Sequence, residues 1–379
     1  MIRNDTPYLN PDERLILSLV IRAMNRTTIA NTDMQNYLAA PLDYDKVLRL
    51  ASVNGVSSFV YRVIKSQRGV PANIKESLHA AYLRTFSSNL RRAGETMRII
   101  GLLKENGIEA IPLKGSVASE IIFHDMGLYP SSDIDILVSP SDLEKTGTVL
   151  FNAGYSRSSD MERDALINTD YHLIFHRGAH VVEVHWNLVK RYFSVAPSFW
   201  WEDTVKTVFD GSEITLLSPE RCLLYAIFRL FFHAFRPLKF LLFIAALLEE
   251  YDGRIDWQKF FSSVRDCRME KLSLFTLRLF YDISGRAIPH PALDTRSSSY
   301  VFLKRLVISG FFTARARIHL RMILYTFLLD SPLDTVRVIF RRIFPDPAEI
   351  RLRYELFGRP RKVLLYYLLN PLLLLLKRR

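Results

Sequence analysis

In SSDIDILV, residues 131–138, two aspartates alternate with isoleucines inside an otherwise apolar run. A period of two belongs to a strand, whose side chains point alternately to opposite faces. Ile134, Ile136 and Val138 then share one face, and Asp133, Asp135 and Leu137 share the other. Two carboxylates a few ångströms apart repel each other unless a cation sits between them. Oxygen ligands so placed suit Mg²⁺, which takes one or two protein carboxylates together with the oxygens of a substrate phosphate. The plainer account is a strand with two acids on a solvated face.

The flanks of this run repeat at the helical period instead. Residues 11–107 read as helices, broken near Asn54-Gly55 and reopened after Pro71. Asn73 is the expected N-cap of a long helix that Gly107 closes. IEAIPL, 108–113, reads as a short buried strand, Lys114-Gly115-Ser116 as a turn, and the residues from Val117 as a helix. Ser141 and Glu144 predict a capping box for a helix over 142–152, ended by Gly154. HLIFHR (172–177) and HVVEVHWNLV (180–189) predict a hairpin around Gly178-Ala179. From Ser218 the chain returns to helix, with Pro219 at its first position. Arg229, His233, Arg236 and Lys239 interrupt the apolar stretch 223–248, which excludes a membrane span there. Two amphipathic helices fit 256–285. The fold expected is α+β, a small mixed sheet flanked by helical regions. Its divisions fall at 1–107, a helical N-terminal region; 108–215, the α/β core; 216–300, a helical domain; and 301–379, a basic and apolar helical tail.

Composition adds limits. A chain of 379 residues has room for two or three domains, and 49% hydrophobic with 24% charged residues is a globular balance. Cys222 and Cys267 have no metal-ligand spacing. MIRNDTPYLNPDERL lacks an apolar signal stretch, so the expected location is the cytoplasm. The net charge of +12 is concentrated: sixteen Lys or Arg against five Asp or Glu lie in 301–379. That asymmetry points to an anionic partner for the tail. Its apolar run 363–376 is short for a span and expected to break at Asn370-Pro371. With Tyr366-Tyr367 and Lys377-Arg378-Arg379, it predicts a segment lying on an anionic membrane at its inner face. The alternative is a terminal helix docked on the domain, with solvated arginines. Nucleic acid is not the expected partner, because the arginines sit among long aliphatic stretches rather than stacking aromatics.

Transfer of phosphoryl or nucleotidyl groups needs metal ions and rigid positioning more than covalent help. A third carboxylate is available in VVEVHW, where Glu183 and His185 share one strand face. A buried Glu without a partner costs several kcal/mol, and a metal shared with Asp133 and Asp135 would supply one; a solvated strand face is the simpler account. In LKGSV, 113–117, a Gly-Ser turn at a helix N-terminus offers backbone N–H groups and a hydroxyl to phosphate, and Lys114 adds charge. His172, His176, His180 and His185 cluster in the hairpin, where half-exposed histidines are a better account than a metal site.

LKGS, DIDILV, Gly154-Tyr155 and VEVHWNL, in this order, resemble the nucleotidyltransferase superfamily related to DNA polymerase beta. Within it the chain looks most like a poorly characterised bacterial family, NTP_transf_5. The likeness extends through LLSPERCLLYAIFRLFFHAF, LKFLLFIAALL and IDWQKFF, covering roughly residues 75–290. It implies a minimal mixed sheet and an Mg²⁺ site made by Asp133 and Asp135. Glu183 matches the third carboxylate, able to ligate metal and deprotonate an acceptor, and Gly115 and Ser116 match the turn that holds the triphosphate. The 108–215 region would be the catalytic core. Three features depart from the family pattern. Sixteen residues separate Ser116 from Asp133, Tyr129 stands where an Arg is expected, and Phe243 where an Asp is expected.

The resulting expectation is an Mg²⁺-dependent enzyme moving an NMP from an NTP to an unknown small-molecule, glycan or protein acceptor. The alternative is an inactive nucleotidyltransferase fold serving as an interaction module at the membrane surface.

Overall fold

The amphipathic runs at the N-terminal side form α1 (Pro11–Met24), α2 (Asn31–Leu38), α3 (Tyr44–Val53), α4 (Ser57–Ile64) and the long α5 (Ala72–Glu105). The computed structural model describes residues 8–27, 31–157, 171–189, 193, 195–288, 297–312, 317–354, 356 and 359–376. A reciprocal capping box of Asn10 and Glu13 opens α1. The break at Asn54-Gly55 separates α3 from α4, with Gly55 at φ +64°. The expected Asn73 cap is corrected: Pro71 takes the cap position and Asn73 lies in the first turn. Proline's fixed φ and missing N–H suit a helix boundary, which moves the start forward.

The central block contains β1 (Ala110–Pro112), α6 (Ser116–Phe123), β2 (Ile134–Val138), α7 (Leu143–Asn152), β3 (Ser156–Arg157), β4 (His172–Arg177) and β5 (His180–His185). The strands form one sheet in the order β1-β2-β5-β4-β3. β2 and β5 run parallel and the other neighbours antiparallel, so the sheet is mixed as expected. The capping box of Ser141 with Glu144 does not form. A 3₁₀ turn over Pro140–Asp142 makes Asp142 the cap, and the Ser141 hydroxyl lies 2.8 Å from that of Ser139 instead. A second hairpin, β6 (Thr204–Phe209) and β7 (Ser212–Leu217), stands outside the elements expected from the sequence. Asp210-Gly211, both at positive φ, is the turn signal that marks it.

Burial of β2 overturns the solvated-face account for Asp135, since all five strand residues are buried; Asp133 precedes the strand and is half-buried. On one face Ile134, Ile136, Val138, Val182 and Val184 pack with Ile99 and Leu103 of α5 and with Leu143 and Leu150 of α7. The opposite face, carrying Asp135, Leu137, Glu183 and His185, turns toward the larger helical core that contains Leu137.

That core is completed by α8 (Pro219–Phe232), α9 (Lys239–Glu250), α10 (Trp257–Asp266), α11 (Glu270–Ser284), α12 (Ser298–Gly310) and α13 (Arg317–Leu328). Ser218 caps α8 by accepting from the Arg221 N–H, with Pro219 in the first turn. Phe240 to Leu248 of α9 are buried without exception, which is why the segment is so apolar. Among the described residues no helix is long and apolar enough to cross a membrane. The core draws on every region from Leu9 to Val338.

The chain closes with α14 (Pro332–Ile343), α15 (Pro347–Arg353) and α16 (Pro360–Leu376). Ile350, Leu356 and Val363 make a separate small core, against which Tyr366 and Tyr367 pack. The predicted break at Asn370-Pro371 is corrected: α16 continues through Pro371. The buried Asn370 side chain accepts from Arg353 Nη1 (2.9 Å) and Tyr354 Oη (2.8 Å) and donates to the Ile343 carbonyl (2.7 Å). These three bonds hold the segment where proline removes a backbone bond. Lys377, Arg378 and Arg379 lie outside the described residues.

Candidate functional site

Parallel pairing of β2 with β5 sets Asp135 beside Glu183 and Leu137 beside His185. Paired residues of neighbouring strands face the same way, so Asp135, Glu183 and His185 meet on the helical side of the sheet. One ligand atom from each lies within 4.8 Å of the others, a set able to hold a metal ion. Asp135 is buried. Its Oδ1 takes Lys114 Nζ at 2.9 Å and His185 Nε2 at 3.0 Å. Its Oδ2 is buried with no hydrogen-bond partner among the described residues. A buried carboxylate oxygen without a donor is costly, and a bound cation would satisfy it.

Glu183 is half-buried, with His185 Nε2 3.4 Å from its Oε2. Asp133 stands at the entry of β2, its Oδ2 3.6 Å from Lys114 Nζ and its Oδ1 accepting from Ser132 Oγ at 3.1 Å. Burial works against charge on Asp135, but Lys114 and His185 outweigh it and hold the carboxyl below its ordinary range. By the same exchange Asp135 raises Lys114, and hydrogen bonding to Asp135 and Glu183 raises His185, each against the effect of burial. Lys114 thus offsets part of the carboxylate charge, while His185 contacts both Asp135 and Glu183. Of the hairpin histidines only His185 is buried; His172, His176 and His180 are half-exposed, with the His172 ring 5.1 Å from that of His185.

The Gly-Ser turn reaches this site despite the sixteen-residue separation. Gly115 has φ +79°, and a Cβ built on it would meet Ser131 Oγ at 2.8 Å and the Asp133 carbonyl at 3.5 Å. Only glycine lets the turn pack this closely on the approach to β2. Ser116 is buried at the start of α6. Asn89 of α5 fixes the same approach from behind, donating to the carbonyls of Met126 and Tyr129 at 2.8 Å each.

Two further cations come from the helical region. Lys239, at the start of α9, donates to the Pro130 carbonyl at 2.9 Å and lies 5.3 Å from the Tyr129 ring centre. Gly55 makes room for it: a Cβ there would lie 2.7 Å from Lys239 Cδ. Arg229 of α8 lies over Phe240 at 4.7 Å. Neither cation has an ion-pair partner among the described residues. Burial, then Arg229 and Lys114, push Lys239 down to about 8. Burial and the same cations, with Arg321 and Lys239, pull His233 down to about 4. Burial is the larger cause of both shifts, and the neighbouring cations add to it; positive charge gathered this way suits a polyanionic ligand. The sequence showed Arg229, His233 and Lys239 as charged interruptions of apolar helices, and that was the available signal for them.

The two side-chain departures also meet. Tyr129 stacks on Phe123 (5.4 Å between centroids) and packs on Phe243 at the same distance. Together they form an apolar tie between α6, the approach to β2 and α9.

The family described as uncharacterised nucleotidyltransferase matches residues 40–283. No curated protein and no solved structure matches the chain.

Proposed function

Since the chain belongs to the family of uncharacterised nucleotidyltransferases, we propose that it moves a nucleoside monophosphate from an NTP to a hydroxyl, amine or phosphate of an acceptor, using Mg²⁺. The observation that carries this reading is the partnerless, buried Asp135 Oδ2 set beside Glu183 in strand register. Two carboxylates are an oxygen donor set that fits Mg²⁺. Asp135 and Glu183 would hold the ion, with Asp133 as the third carboxylate. Once bound, Mg²⁺ would neutralise phosphate oxygens and polarise the α-phosphorus.

The remaining work falls to the chain. Lys114, Arg229 and Lys239 supply positive charge for the triphosphate, and the Gly115-Ser116 turn supplies a hydroxyl and helix N-terminal N–H groups. His185 orients both carboxylates through its contacts to each. Glu183 is the least buried of the paired acids and suits the general base. It takes the acceptor's proton while the acceptor atom bonds the α-phosphorus; the bond to the β-phosphate oxygen breaks, and pyrophosphate leaves. The acceptor is a small molecule, glycan or protein, and the setting is the cytoplasm.

Asp135→Asn removes a charge and little volume. Pyrophosphate release with NTP, Mg²⁺ and an acceptor pool should fall by at least about a hundredfold, beyond the effect of losing an outer-shell partner. The variant's circular dichroism should match the parent. A parent protein that shows neither pyrophosphate release nor a thermal shift with Mg²⁺ and NTP would sink the reading; at one hundred times its Kd a ligand stabilises by about 2.7 kcal/mol. Such silence would favour the inactive interaction module. Tyr129 and Phe243 pack on each other, and neither is among the carboxylates proposed to hold the ion.

A further inference from the structure

Among the described residues, α16 leaves a broad leucine face without a partner. Leu364, Leu365, Leu368, Leu369 and Leu372 of α16 are between 37% and 65% exposed. Their spacing puts them on one stripe of the helix. Leu333, Val336 and Phe340 of the adjoining α14, between 55% and 76% exposed, repeat the pattern at i, i+3 and i+7. The stripe is held outward rather than left loose. Val363, Tyr366 and Tyr367 pack inward on the small core, and the buried Asn370 ties α16 to Arg353, Tyr354 and Ile343.

Charge selects what covers such a face. Arg359, Arg361 and Lys362 are exposed at the N-terminal end of α16, and none has an ion-pair partner among the described residues. A basic end joined to an apolar stripe matches the anionic headgroups and acyl boundary of a bilayer. A second copy packed with this helix parallel to its own would oppose the same three cations, and leucines offer nothing to bases or phosphates. The helix is 17 residues long, and no described helix is able to cross a membrane. We propose that the exposed faces of α16 and α14 dock the protein in the plane of an anionic lipid surface, independently of the nucleotidyl-transfer reading.

The test is sedimentation of the full chain with vesicles of neutral phosphatidylcholine, with and without about one third phosphatidylserine. The parent should pellet with the anionic vesicles only. Leu364→Gln/Leu368→Gln/Leu372→Gln should stay in the supernatant. Arg359→Gln/Arg361→Gln/Lys362→Gln should lose partitioning by on the order of a hundredfold, the scale of three basic contacts. All six positions are exposed, so unchanged thermal melts should show that the variants fold. A parent that stays in the supernatant, or that pellets equally with neutral vesicles, overturns the proposal. So does a parent that elutes as a dimer which the leucine variant converts to monomer, since a second copy would then cover the face.

Discussion

Asp135 and Lys239 show how differently two site residues can be read. The aspartate is legible because a carboxylate inside an apolar strand is expensive and needs a local reason. Its real balance, Lys114 and His185 on one oxygen and nothing on the other, comes from residues 21 earlier and 50 later in the chain. Lys239 reads as a helix interruption until Gly55 and Pro130 are seen to aim it at the site. With its pKa near 8, it is charged below that pH and neutral above. If it binds the triphosphate, kcat/KM should fall as pH rises through about 8. Lys239→Met should raise the NTP Kd by roughly 10- to 100-fold, the scale of a charged hydrogen bond, and abolish that inflection. The same residue has the opposite effect on stability. It holds fewer protons folded than unfolded, so its contribution to stability grows from pH 8 toward its ordinary 10.5. A pH–rate profile beside pH-dependent melts separates the two.

At the scale of elements, periodicity located the helices and most strands, because burial of one face imposes it. It missed the hairpin β6–β7, whose Asp-Gly turn was in plain view, and misplaced caps where Pro71 and Pro140 shifted a helix start. It could not say that the turn before α6 packs on the approach to β2, since that contact needs Gly115 and Ser131 from separate segments. Tyr129 and Phe243 are separate departures in the sequence, yet they form one contact joining α9 to the approach to β2. A double-mutant cycle of Tyr129→Leu and Phe243→Leu should return a coupling of about 0.5–1.5 kcal/mol in urea unfolding. A coupling near zero would mean the two rings stabilise their helices separately.

At the scale of the whole molecule, the main core runs from Leu9 to Val338, while Ile350, Leu356 and Val363 form another. A chain ending at Phe344 should keep the main fold and its Mg²⁺–NTP response, with Tm within about 4 °C of the parent; differential scanning calorimetry checks it, and loss of the cooperative transition would show that the two cores are interdependent. The sequence alone determined the mixed α+β architecture, the acidic strand and the concentration of charge in the last region, because each follows from local pattern or composition. Tertiary structure alone decided that β2 and β5 pair in parallel and in the register that joins Asp135, Glu183 and His185. It also decided that cations from α8 and α9 lie close enough to interact with Asp135, because strand register and helix docking are set by contacts between residues far apart in the chain.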